Sequence, residues 1–148
     1  MTLAAKLRRA PLRLTTGAFI LNSGLGKWAG GEEQAKGIHG MAAGAYPALQ
    51  KMQPATFLRT LSVAEIATGA VLLAPIVPAG IAGVALTAFA GGLVGLYLRT
   101  PALHEPGGVR PTQDGIAIAK DVWMAGAGAS LIIDAVTTRS KKKAPATD

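Results

Sequence analysis

The sequence predicts an all-α membrane protein: a four transmembrane helix bundle with an amphipathic outer segment between helices 1 and 2. Three observations carry that prediction. The stretch from Leu61 to Leu98 holds two apolar runs of about membrane-spanning length, hinged at Pro75 to Pro78, with Glu65 as its one charged residue. Half of the 148 residues are hydrophobic, mean hydropathy is +0.37, and only 16% are charged. Soluble domains run about a quarter charged, so the shift favours lipid. Finally, glycine is abundant at 19 residues, and small residues let membrane helices approach closely.

Taken in order, residues before Leu12 form a basic lead-in, and Leu12–Ala29 is the first span, near the lower length limit. A basic start before an apolar run also describes a signal peptide. No small-x-small cleavage site closes this run, and Lys27 and Trp28 stand where one belongs, so an uncleaved helix is expected. Gly30 to Gln53 carries Ile38, Met41, Ala42, Ala45, Leu49 and Met52 at helical spacing among polar residues. It is too short and too polar to span, and reads as an amphipathic segment on the membrane, dipping into it, or as a surface helix. Pro54 suits the first turn of helix 2, expected over Ala55 to Val77. Helix 3 follows over Ala79 to Leu98, with Tyr97 and Arg99 as its far-end anchor. Thr100 to Gly115 has loop chemistry, and Asp114 is placed to cap helix 4, Ile116 to Val136, with Trp123 near its start. Residues 1–138 thus make one transmembrane domain and 139–148 a basic, disordered cytoplasmic tail.

Composition excludes several functions. With no cysteine, there is no disulfide, thiol redox pair, iron–sulfur ligation or thiolate zinc site. The net charge of +7 gathers at the chain ends, in Lys6, Arg8, Arg9 and Arg13 and again in Arg139 and Lys141 to Lys143. No aromatics interleave there, so these groups read as topology signals beside apolar helices and not as a nucleic-acid surface. Gly24 to Ala29 matches G-x-G-x-x-A inside an apolar helix, where the dinucleotide motif has no strand to follow. His39 and His104 both fall in outer segments and not on facing helices, which disfavours bis-histidine haem, and His104-Glu105 lacks the second histidine of a zinc protease. Gly91 with Gly95, and Gly126 with Ser130, are small-xxx-small pairs expected to pack helices within the bundle.

Four spans place both termini on one side. The basic ends then lie in the cytoplasm. Depth follows from about 1.5 Å of rise per residue. Lys27 lies about 21 Å beyond Arg13, and Glu65 about 9 Å below Arg59, so the two meet at one level on neighbouring helices and should pair. Lys120 and Asp121 lie about one turn inside helix 4, near Arg99. Lys27, Glu65, Arg99, Lys120 and Asp121 form an outer-leaflet polar layer with Asn22 beneath it. The layer either only fixes helix register or serves as a pocket for a quinone-like ligand or as a proton relay.

These residues carry a family resemblance. LRLTTGAFILNSGLGKW is similar to the first helix of the DoxX family through Arg13, Gly17, Gly24 or Gly26, and Lys27. Its Gly17-to-Phe19 spacing is one residue short of the usual Gly-x-x-Phe. EIATGAVLL, from Glu65, resembles the family's E-x-x-x-G-x-x-L, and KDVWMAGAG, from Lys120, resembles its K-[DN]-x-x-x-x-G. The resemblance implies a four-helix bacterial membrane protein that is an accessory part of a redox or quinone-linked membrane complex, without independent catalysis and with quinone as its one candidate cofactor. Thiol-handling relatives carry cysteines, so no dithiol role is inherited. Expected partners are the bilayer and a redox complex or a second copy. Two other classes remain: a small transporter using Glu65 as its coupling group, and a purely structural subunit.

Overall fold

The computed structural model describes residues 3–143, and among them the regular secondary structure is all helical, with turns and loops between the helices and an isolated bridge between His104 and Pro111. The helices are α1 (Leu3–Trp28), α2 (Glu32–Ala45), α3 (Pro54–Leu73), α4 (Ala79–Arg99), the single turn α5 (Ile116–Ala119) and α6 (Val122–Lys143). Short 3-10 turns at Pro47–Lys51 and Pro101–Leu103 follow α2 and α4. Their bounds have local causes. Gly30 and Gly31 separate α1 from α2, whose first turn carries Glu32 and Glu33, favourable against the helix dipole. Pro54 occupies the first turn of α3, where its missing N–H costs nothing. Pro75 and Pro78 keep α3 and α4 from fusing.

Three described segments are long and apolar enough to cross a membrane: α3, α4 and the stretch Ile116–Thr138. Only 28%, 28% and 11% of their apolar windows are buried, so most of that apolar surface faces outward, as lipid contact requires. The first span expected over Leu12–Ala29 is part of the 26-residue α1, which is not among the three. Its arginines, lysines, asparagine and threonines dilute its hydropathy.

The bundle is built from two antiparallel pairs, α1 with α3 and α4 with α6. Glycines set both seams. A methyl group at Gly69 would come within 2.7 Å of Leu21 Cβ, and one at Gly24 within 2.9 Å of Glu65 Cβ. In the second pair a methyl at Gly83 would come within 2.8 Å of the Gly128 carbonyl oxygen. The seam glycines therefore differ from the expected pairs. A methyl at Gly91 or Gly126 would meet nothing within 4 Å, Ser130 is exposed, and Gly95 abuts the Tyr46 side chain. Spacing alone does not say which face of a helix turns inward. Ile20, Leu72, Ala82, Leu86 and Leu131 join the two pairs in a shared core.

Arg13 closes the α3–α4 turn. Pro75 has no N–H to offer the Val71 carbonyl four residues back, and the last helical carbonyls lack partners in any case. The buried Arg13 guanidinium donates to Leu72 O at 2.7 Å, Ala74 O at 2.6 Å, Val77 O at 2.9 Å and Val71 O at 3.1 Å. Nearby, Arg8 and Arg9 both pair with Asp134 of α6, and Arg9 also donates to Thr138 Oγ1 at 3.2 Å. The arginines read from sequence as topology signals are thus also structural: two of them tie α1 to α6, and the third caps α3.

Four further expectations are corrected. The last helix is broken at Lys120 and Asp121, with α5 before the break and α6 after it. Its entry is held by Thr112, whose Oγ1 accepts the Gly115 N–H at 3.1 Å, and not by Asp114. Helix α6 also continues to Lys143, past the Val136 end and into the expected tail, while 144–148 lie outside the described residues. Tyr97, expected as an interfacial anchor, is buried and donates to Val109 O at 2.7 Å. The segment after Gly30 is helical as well, and α2 packs on α3 and α4 through Ala35, Ala42, Ala43 and Ala45.

A candidate ligand cavity beneath α2

The two helix pairs meet tightly at the α3–α4 turn and part toward the other end. Between them lies a cavity of about 620 Å³, roofed by α2. Two of its walls are stripes with four-residue spacing that start at a phenylalanine and end in a charge. On α1 the stripe is Phe19, Ser23 and Lys27, and on α3 it is Phe57, Leu61 and Glu65. Phe89, Leu93 and Leu96 face them from α4, Ile38 and Met41 from α2, and Met124 from α6. Four residues is just over one helical turn, so each stripe keeps to one face.

The polar wall is assembled where those stripes end. Lys27 Nζ lies 3.0 Å from each carboxylate oxygen of Glu65 and 2.7 Å from Ser23 Oγ. Glu65 is 4% exposed, so this is a buried ion pair. Its register is set locally. Gly24 lets α3 approach, and the buried Ser62 hydroxyl donates to the Gly24 carbonyl at 2.7 Å, one turn from Glu65. Removing either partner of such a pair strands the other, which costs about 3–5 kcal/mol.

Lys120 and Asp121 line the same cavity from the helix break. Asp121 is partly buried, and among the described residues its side chain makes no hydrogen bond or ion pair. Lys120 is exposed. Four of the six sequence-predicted site residues therefore share one cavity: Lys27, Glu65, Lys120 and Asp121. The other two lie elsewhere. Asn22 is exposed on α1; it directly precedes Ser23 of the Phe19–Ser23–Lys27 stripe and so lies about 100° around the helix from it. Arg99 is exposed, its guanidinium stacked over the Tyr46 ring at 4.7 Å.

Sequence reasoning missed Tyr46 and Phe57. The Tyr46 hydroxyl donates to Gly92 O at 2.7 Å, tying the end of α2 to α4 across the cavity. Phe57 meets His39 edge-on at 5.5 Å, and His39 Nε2 lies 2.9 Å from Leu49 O, which anchors the 3-10 turn to α2. The detectable signal for Phe57 was its spacing, eight residues before Glu65, the same interval as from Phe19 to Lys27.

Several lining residues are also exposed. Phe19 is 59% and Met41 43% exposed, so the mouth opens between α1, α2 and the α5–α6 break, with an apolar rim. Trp28 and Trp123 are exposed at the same end of the bundle, and Arg59 lies over the Trp28 ring at 4.3 Å. Among the described residues, no group of three or more His, Cys, Asp or Glu could hold a metal ion. No family model, curated protein or solved structure matches the chain.

Proposed function

We propose that this chain is a four-span integral membrane protein of the DoxX type that holds a lipid-soluble, quinone-like ligand as an accessory part of a membrane redox complex. The observation that supports it most is the cavity: about 620 Å³, apolar along its body, polar at one wall, and rimmed by exposed Phe19 and Met41. That volume is in the usual range for small-molecule sites. An apolar rim at membrane depth admits an amphiphile from the bilayer more readily than a solute from water.

The fourth span is α1. From Pro11 to Trp28 its exposed residues are Pro11, Leu14, Thr15, Ala18, Phe19, Asn22, Leu25, Gly26 and Trp28, with no charge among them. Its two charges in that stretch, Arg13 and Lys27, turn inward to partners on α3. Lipid therefore meets an uncharged face even though the average hydropathy is modest. The α3–α4 turn and both termini then lie on the cytoplasmic side of a bacterial inner membrane, and α2 with the 100–115 loop lies outside. Because the chain has no cysteine, single probes report cleanly: thiols at Leu3→Cys and Glu33→Cys, on either side of α1, should label from opposite faces of sealed vesicles. Labelling of both from the same face would remove α1 as a span.

The ligand reading is tested by purification from native membranes, with mass spectrometry of bound lipids and proteins. A quinone or related isoprenoid should accompany the wild type and be lost from Gly92→Leu. Gly92 lines the cavity and an added Cβ there meets nothing within 4 Å, so a leucine has room to occupy the site. Retention of the same lipid by Gly92→Leu would overturn the assignment. The transporter alternative draws no support from Glu65, since Lys27 holds both of its oxygens.

A further inference from the structure

The hydrogen-bonding groups on the cavity wall specify the head that fits. Lys27 is occupied by Ser23 and both oxygens of Glu65, so its three protons have protein acceptors. The Tyr46 hydroxyl is given to Gly92 O. Lys120 is exposed, and a lysine at a membrane boundary extends toward water. The Asp121 carboxylate, an acceptor on two oxygens, lines the cavity partly buried, near the Lys120 and Lys27 charges but with no hydrogen bond or ion pair among the described residues. When a ligand fills the cavity and displaces water from this carboxylate, its head must offer a donor in return, or the desolvation cost is uncompensated.

We infer that the cavity prefers an amphiphile whose head donates hydrogen bonds, a hydroquinone-type dihydroxy ring over the matching quinone, with Asp121 as the acceptor. This rests on the reading that the cavity holds a quinone-like ligand, and it selects the redox form. A quinone carbonyl only accepts, so it would set oxygen lone pairs against the carboxylate. A hydroquinone hydroxyl donates to it, and bonds to an ionised acceptor are about twice as strong as neutral ones. The ring body and tail lie along Phe19, Phe57 and Phe89. Selective binding of the reduced form raises the potential of the bound couple, by about 30 mV for each tenfold preference in a two-electron couple.

The test uses the full chain in lipid nanodiscs under anaerobic conditions, with a decyl-substituted hydroquinone and the corresponding quinone as probes. Binding is measured by equilibrium partition against nanodiscs carrying Gly92→Leu. The hydroquinone should bind about tenfold tighter or more. Asp121→Asn, which offers an amide donor, should bring the two affinities within about twofold of each other while the helix content stays that of the wild type. Equal or tighter binding of the quinone to the wild type overturns the proposed selectivity and leaves the ligand reading standing, as does an unchanged ratio in Asp121→Asn. No binding of either probe, or binding that survives Gly92→Leu, overturns both.

Discussion

Lys27→Met should be among the most destabilising single changes in this protein, and a second change should rescue it. In the wild type the Lys27 ammonium and the Glu65 carboxylate are 3.0 Å apart with Glu65 buried. At an effective dielectric of about 20, that separation corresponds to an attraction of about 5–6 kcal/mol. Desolvating the two groups costs several kcal/mol each, so the pair contributes little net stability over an apolar pair of similar size. Breaking it is another matter. Lys27→Met leaves Glu65 buried and unpaired, with an expected loss of about 3–5 kcal/mol. Lys27→Met combined with Glu65→Leu removes both charges and should return to within about 1 kcal/mol of wild type, because the methionine and leucine fill the same apolar space. The assay is equilibrium unfolding in mixed SDS micelles, followed by the fluorescence of Trp28 and Trp123. Trp28 follows Lys27 directly, so it reports the affected end of α1. The reasoning is refuted if Lys27→Met costs under about 1 kcal/mol, or if the double variant is as unstable as the single one. Glu65→Gln adds a functional readout. If it folds and assembles but loses ligand binding, a role confined to helix register fails.

Arg13→Ala should cost about 3 kcal/mol or more, since it removes charged donors from four carbonyls at the α3–α4 turn, and Arg13→Lys should restore only part because lysine lacks the planar fork. The same micelle unfolding measures this, and an Arg13→Ala loss below about 1 kcal/mol would show that water serves those carbonyls as well. Gly69→Val should cost about 1–3 kcal/mol or block folding, because its methyls meet Leu21, whereas Gly91→Ala should be neutral or slightly stabilising in the exposed helix. The opposite order would mean that the seam between α1 and α3 is looser than the structure describes.

The helical organisation could be read from the chain because long apolar runs punctuated by proline and glycine permit few other structures. The α3–α4 hairpin followed from Pro75 and Pro78, and the Lys27–Glu65 contact from rise per residue on antiparallel neighbours. Other features were hidden for identifiable reasons. Arg9 and Asp134 are 125 residues apart, and nothing in the local pattern links them. Arg13 looked like a boundary marker because lipid headgroups and helix carbonyls attract the same charge. Asn22 and Arg99 share a depth with the site but not a face, and depth arithmetic carries no rotation. The break at Lys120 and Asp121 interrupts a stretch whose apolar residues would suit one continuous helix.

The sequence by itself determined the membrane-length helices, their order, the turns between them, and the level at which charge meets charge. Those depend on hydropathy, backbone chemistry and length, all of which are local. Only the tertiary structure decided which glycines face a neighbour, which arginines turn inward, and that the two helix pairs part beneath α2 to leave a cavity with Asp121 open to it. Those depend on the rotation of each helix about its axis and on the packing of pairs, which arise from contacts between residues far apart in the chain.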